Sequence, residues 1–140
     1  MTTFEVSGTP VPKARPRAFK TKNGNIRAYT PTNSKNFEHL VRMHAEKVFM
    51  EPIKGPVKLD VVFLMPRPGR MIWKTKPMPR VPCDKRPDAT NLIKGIEDSL
   101  NGVAYLDDGQ IYRIDVQKLY HAGNEGPKTI ITVKPYDKSL

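Results

Sequence analysis

Apolar and polar positions alternate over Thr3–Gly8. They alternate again over residues 57–65, where Val57, Leu59, Val61, Phe63 and Met65 take every second place. A period of two is the mark of a strand with one buried face. In the second stretch Val62 and Leu64 add apolar groups to the other face, which predicts a strand in the middle of a sheet. Gly55-Pro56 opens that strand and Pro66 closes it. Two more strands are expected near the C-terminus. Gly109–Tyr120 alternates through Tyr112, Ile114, Val116 and Lys118. Lys128–Tyr136 sets Ile131 and Val133 on one face and Ile130 on the other. The loop His121–Pro127 joins them, so an antiparallel hairpin is predicted. Asn23-Gly24-Asn25 is a turn signal, expected to close another hairpin between Ala18–Lys22 and Ile26–Thr30.

A helical repeat replaces the alternation in two places. Phe37, Leu40, Val41, His44, Val48 and Phe49 recur at helical spacing up to about Met50, with Thr32 or Asn33 as the cap and Pro52 as the stop. His44 falls on the apolar face and is expected in or beside the core. Leu92, Ile93, Ile96 and Leu100 predict a second helix over Asn91–Leu100, ended by Asn101-Gly102. The predicted order is β-β-β-α-β-α-β-β. It describes one α/β (α+β) domain over residues 1–140, a mixed sheet covered by two helices. No repeat or domain boundary interrupts it. Residues 67–87 hold Pro68, Pro77, Pro79, Pro82 and Pro87 and no clear period. This stretch is expected to be a long connection without regular structure, of the kind that serves function or moves.

Charge changes the picture. Lys+Arg is 24 and Asp+Glu is 14, a formal net charge of +10. The excess is clustered. No acid lies between Glu5 and Glu38, a stretch holding Lys13, Arg15, Arg17, Lys20, Lys22, Arg27 and Lys35. Residues 67–87 carry Arg67, Arg70, Lys74, Lys76, Arg80, Lys85 and Arg86 against Asp84 alone. Basic residues on extended loops suit a phosphate backbone, and Phe19, Tyr29 and Trp73 sit among them where they could stack on bases. The bland alternatives are a solubilising surface for the charges and a place in the core for the aromatics.

Composition excludes several classes. One cysteine, Cys83, allows neither an intramolecular disulfide nor a zinc site with two thiolates, and a structural or neutral role rather than a redox one is expected for it. His39 and His44 are five apart, not the four that puts two ligands on one helical face. No apolar run approaches the roughly 18 residues of a membrane span. The N-terminus lacks the plan of a signal peptide. A cytoplasmic protein with no membrane partner is expected.

The chemistry concentrates in residues 85–110. Pro87 precedes Asp88, which falls at the mouth of the second helix. Lys94 follows one and a half turns on, where it can point back toward Asp88. Asp107-Asp108 stands at the start of the next strand. Carboxylates from two elements with a lysine beside them suit Mg²⁺, which takes one or two carboxylates plus water and phosphate oxygens. Spacing alone leaves a second reading equally open, in which Asp88 caps the helix, Asp107-Asp108 forms a turn and Lys94 is solvated.

These residues resemble the RusA family of Holliday-junction resolvases of bacteria and prophages. Its signature is approximately Lys-Pro-Asp-x-Asp-Asn-Leu-x-Lys, then a helix, then Asn-Gly and Asp-Asp-x-Gln leading into a strand. This chain has Arg86-Pro87-Asp88-Ala89-Thr90-Asn91-Leu92-Ile93-Lys94, Asn101-Gly102 and Asp107-Asp108-Gly109-Gln110. Its N-terminal Gly8-x-Pro10-Val11-Pro12-Lys13-Ala14-Arg15-Pro16-Arg17 and Tyr29-Thr30-Pro31 are also similar to the family. The resemblance runs from residue 4 to about 120. It implies a homodimeric endonuclease that binds four-way junctions and nicks them symmetrically with Mg²⁺ or Mn²⁺ and no organic cofactor. Asp88, Lys94 and Asp108 match its catalytic positions. Asp88 and Asp108 would hold the metal, helped by Asp107 and Thr90. Lys13, Arg15, Arg17, Lys20, Arg67, Arg70, Lys74, Lys76, Arg80, Lys85 and Arg86 would hold the junction. One departure stands out, because the motif's second aspartate is Thr90 here. Asp107, or Glu97 or Asp98 on the helix, would have to compensate, although Glu97 is expected to point elsewhere. The alternative is a branched-DNA-binding protein with weak or no cleavage.

Overall fold

The computed structural model describes residues 1–14, 17–24, 26–29 and 32–138, with the backbone alone over 17–19 and 26–29. β4 (Val57–Met65) is the axis of a five-stranded sheet. β6 (Ile111–Tyr120) lies parallel to it on one side and β7 (Lys128–Pro135) antiparallel on the other. β1 (Thr2–Ser7) pairs with β7, and the two-residue β5 (Val81–Pro82) pairs with the end of β6. The order is therefore β1-β7-β4-β6-β5. β2 (Arg17–Lys20) and β3 (Ile26–Tyr29) form the expected hairpin, as a two-stranded sheet of its own. Gly24 holds a positive φ in the turn, as a tight reversal there requires.

The central placement of β4 follows from its two apolar faces. Val57, Leu59, Val61, Phe63 and Met65 are buried, and Val62 and Leu64 lie on the reverse face. The expected hairpin between the last two strands does not form, because β4 stands between β6 and β7. In this order both edges of β4 are hydrogen-bonded, one to β6 and one to β7. The loop at 121–127 has only to cross two strand spacings, about 10 Å. The parallel β4–β6 pair needs a crossover, which the chain supplies through α2 (Ala89–Ser99).

α2 and α1 (Thr32–Val48) share one core with the buried face of the sheet. Phe37, Val41 and Ala45 of α1 and Leu92, Ile93 and Ile96 of α2 meet Val6, Leu59, Val61, Ile131 and Val133 there. The stripe on α1 is rotated from the expected one. Ser34 and Ala45 turn inward, while Leu40 and Val48 remain 37% and 42% exposed. Small side chains at 34 and 45 suit the close approach of neighbouring elements, and the Ser34 hydroxyl accepts the Ala14 N–H at 3.2 Å. His44 is half-buried at the boundary.

The stretch 67–87 is more built than its composition suggests. It contains a 3₁₀ turn at Gly69–Met71 and β5, and the Gly123 N–H donates to Met78 O at 2.8 Å. Arg67, expected to reach DNA, is only 7% exposed. Its Nε donates to His121 O at 2.7 Å, and its terminal nitrogens donate to Met71 O at 2.8 Å and to Pro79 O. Its guanidinium lies 5.1 Å from the Trp73 ring centre, and the Lys76 ammonium lies 4.3 Å from it. Arg67 thus ties the loop to the end of β6. Arg67→Met keeps most of the stem and strands three carbonyls. Urea unfolding is expected to show a loss of about 1–3 kcal/mol, the cost of leaving buried hydrogen-bonding groups unsatisfied. A change within about 0.5 kcal/mol, the range of a surface substitution, would exclude this structural role.

Arg80 is engaged as well. Its Nε and one terminal nitrogen each lie 2.8 Å from a carboxylate oxygen of Glu125, which also accepts the Ala122 N–H at 2.8 Å. The hydrogen bond to Arg80 leads the effects that hold the Glu125 carboxyl down at about 2. An unfolded glutamate titrates near 4.3. The pair therefore contributes stability above about pH 4.3 and loses it as pH falls toward 2. The stability gap between wild type and Glu125→Gln is expected to shrink across that window in acid unfolding curves. A gap that stays constant would show that the carboxylate contributes nothing there.

Candidate active site

Asp88 takes the N-cap position of α2 in an extended backbone conformation (φ −68°, ψ 140°), yet its carboxylate makes no capping hydrogen bond. The cap is made by its backbone carbonyl, which accepts from Asn91 N and Leu92 N at 3.1 Å each. The exposed carboxylate is left at the positive end of the helix dipole with nothing in the fold to satisfy.

The approach to Asp88 is held from β6. The Lys118 ammonium donates to Pro87 O at 2.7 Å and to Lys85 O, and its backbone carbonyl accepts the Cys83 N–H at 3.0 Å. Sequence reasoning passed over this residue. Its signal was the alternation of β6, which turns Lys118 toward the covered face of the sheet, where an ammonium needs fixed acceptors. On the junction-nicking activity that the sequence resemblance implies, Lys118→Met is expected to lower turnover about tenfold, within the range for misplacing a reacting group. Junction affinity should change less than about threefold, and Lys118→Arg should restore part of the rate. Loss of binding in step with turnover would show a general loss of fold instead.

Lys94 does not point back to Asp88. Its ammonium sits 3.2 Å from Asp98 Oδ1, one turn on, and 3.9 Å from Asp108 Oδ2. The hydrogen bond to Asp98, more than the charge of Asp108, raises its pKa. Glu97, expected to point away, lies within electrostatic reach of Lys94, Asp108 and Asp98, and burial raises its own pKa. Asp98 is the residue the sequence reading undervalued. It also meets Lys13, whose ammonium lies 2.6 Å from Glu38 Oε1 and 3.5 Å from Asp98 Oδ2. Lys13 N donates to Asn91 O at 2.9 Å, so the N-terminal loop is pinned to α2 beside Asp88.

Asp107 and Asp108 divide their tasks. Asp107 caps the 3₁₀ turn Asp108–Gln110, accepting Gly109 N at 3.0 Å. Gln110 completes the turn. Its Oε1 accepts Leu106 N and Asp107 N, and its Nε2 donates to Ile53 O and Gly55 O at 2.8 Å each. The Asp-Asp-x-Gln spacing thus has a physical basis, with one aspartate and the glutamine building the turn that carries the other. Tyr105, fully buried, donates its hydroxyl to Glu97 O at 2.7 Å and braces the same turn against α2.

Thr90 is exposed on the first turn of α2. Among the described residues no three acidic, histidine or cysteine side chains converge as a metal cage. The donor set fits a hard cation held by one or two carboxylates with water and phosphate oxygens, for which the unengaged Asp88 carboxylate is suited. Arg70, Lys74, Lys76, Lys85, Arg86 and Lys20 are exposed. Arg15 and the Arg17 side chain lie outside the described residues, as do the side chains of Phe19 and Tyr29.

A cavity of about 850 Å³ opens beside Asp88. The N-terminal loop, the ends of β4 and β6 and the segment after β5 form its walls.

A family model described as Endodeoxyribonuclease RusA matches residues 7–134. The chain belongs to the RusA family, whose members are endodeoxyribonucleases that resolve Holliday junctions. It is also 33% identical over 138 residues to the uncharacterized protein YqaN of Bacillus subtilis (strain 168), a match covering 94% of each chain. Nucleases of this type generally depend on a divalent metal. No helix among the described residues is long and apolar enough to cross a membrane.

Proposed function

We propose that this chain is a Mg²⁺-dependent endonuclease that binds four-way DNA junctions and resolves them by paired symmetric nicks as a homodimer. The observation that carries the reading is an N-cap aspartate whose carboxylate takes no part in capping, at the position that the sequence resemblance matches to the first acid of the motif. Asp88 and Asp108 hold the metal, with Thr90 able to hold one of its waters. Mn²⁺ is expected to substitute. A divalent ion there supplies an activated water and charge neutralisation at the leaving oxygen. Lys94 offsets negative charge developing on the phosphate, and its contacts with Asp98 and Asp108 keep it protonated and placed. Asp107 and Gln110 orient Asp108. Arg70, Lys85 and Arg86 border the site and hold the backbone, with Lys20, Lys74 and Lys76 as outer contacts. Two symmetric nicks need two sites related by a two-fold axis.

A second reading, a branched-DNA binder with weak or no cleavage, draws on the uncharged Thr90 and on the lack of a three-acid cage among the described residues. Product mapping on a four-way junction, with sedimentation of the free protein, tests the choice. Equal cuts at symmetric positions by a dimer support the nuclease. Bound junction without product supports the binder.

A further inference from the structure

We infer that the cavity beside Asp88 receives one nucleotide drawn out of the base stack next to the scissile phosphate, and that this subsite makes the enzyme selective for branched DNA. The inference rests on the proposed nuclease reading. At about 850 Å³ the cavity lies within the roughly 300–1,000 Å³ of sites that enclose small ligands. Its lining includes Pro10, Met65, Cys83 and Tyr120, all largely buried. A phosphate backbone gains little from such apolar lining, whereas the face of a base does.

The rim has the complementary chemistry. Arg70, Lys85 and Arg86 line it, are exposed, and carry no ion pair among the described residues. They are placed for the phosphates on either side of an inserted nucleotide. Lys13 and Arg67 also reach the cavity, but Lys13 is engaged by Glu38 and Asp98 and Arg67 by backbone carbonyls. Those two shape the wall. Asn91 stands at the mouth with no side-chain hydrogen bond among the described residues, so its amide can meet the edge of a base. Asp88 lines the same opening, which sets the inserted nucleotide next to the phosphate held there. The walls are fixed in advance by the bonds from Lys13 N to Asn91 O and from Lys118 to the segment at 85–87.

Selectivity follows from the cost of extrusion. Taking a base out of a duplex is unfavourable, and least so where pairing or stacking is already interrupted. A branch point offers such a nucleotide and a continuous duplex does not. The cavity thereby converts a shape difference into a difference in how readily the scissile phosphate reaches Asp88.

The test places 2-aminopurine at each position around the branch of a four-way junction, with the protein bound in EDTA and the nick mapped separately in Mg²⁺. A several-fold rise in fluorescence is expected at the position beside the nick and not at the others. The rise should vanish in Thr9→Trp and in Pro66→Trp, which bring an indole to the opening from the N-terminal loop and from the end of β4. Thermal unfolding confirms that each variant is folded, and either folded variant suffices. A linear duplex with one unpaired nucleotide should be nicked at least about tenfold faster than its fully paired counterpart. A uniform signal, or one unchanged in the folded filled variants, with normal nicking overturns the subsite and leaves the nuclease reading standing. Absence of nicking overturns that reading and the subsite with it.

Discussion

Asp88→Asn is expected to abolish metal-dependent nicking while leaving the fold and junction binding intact. The substitution separates the two readings of this position. Asparagine caps helices about as well as aspartate, and the Asp88 carboxylate makes no capping bond in any case. What the change removes is a charge. If that charge only complements the helix dipole, its loss costs about 0.3–1 kcal/mol of stability and activity survives. If it holds the metal, turnover falls by at least about 10²–10³-fold, the scale for losing a principal electrostatic group. Junction affinity measured in EDTA should stay within about twofold, because neutralising an acid inside a basic rim does not weaken phosphate binding. Full activity in the folded variant would remove Asp88 from the mechanism.

Thr90→Asp is expected to strengthen the site. Thr90 is exposed on the first turn of α2, so an added carboxylate meets no steric barrier and is favoured by the dipole. It also supplies the acid that the family motif carries at this offset. The Mg²⁺ concentration for half-maximal nicking should fall about tenfold, since affinity for hard cations rises with ligand charge. Stability should rise by a few tenths of a kcal/mol. An unchanged metal requirement would show that Thr90 lies away from the ion.

Much of this molecule was legible in the chain, and the rest failed for identifiable reasons. The alternation of Val57 to Met65, with Val62 and Leu64 on the other face, placed β4 at the centre of the sheet. The pairing of β6 and β7 was misread, because adjacency in sequence does not reveal a third strand that lies hydrogen-bonded between them. The α1 stripe held at Phe37 and Val41 and failed at its flank, since hydropathy favours Leu40 and Val48 whereas packing favoured the small Ser34 and Ala45. Residues 67–87 looked unstructured because what orders them is long-range, namely Arg67 on three carbonyls and Arg80 on Glu125. At the site, Asp88, Lys94 and Asp108 stood out by type and offset. Gln110 stood out as part of the Asp-Asp-x-Gln motif, though not for its bonds to Ile53 O and Gly55 O, and Lys118 did not stand out, because it acts on backbone carbonyls, which sequence spacing does not display. The direction of Lys94 was misjudged for want of weight on Asp98 four residues along the same helix.

The central claim is that the free Asp88 carboxylate and Asp108 serve a metal that cuts branched DNA. The most direct measurement incubates the purified protein with a labelled four-way junction and with a linear duplex of matching sequence, in Mg²⁺, Mn²⁺ and EDTA. Paired, symmetric nicks on the junction, present with either metal and absent in EDTA and on the duplex, are the predicted result. Tight junction binding with no product at any metal concentration would contradict it.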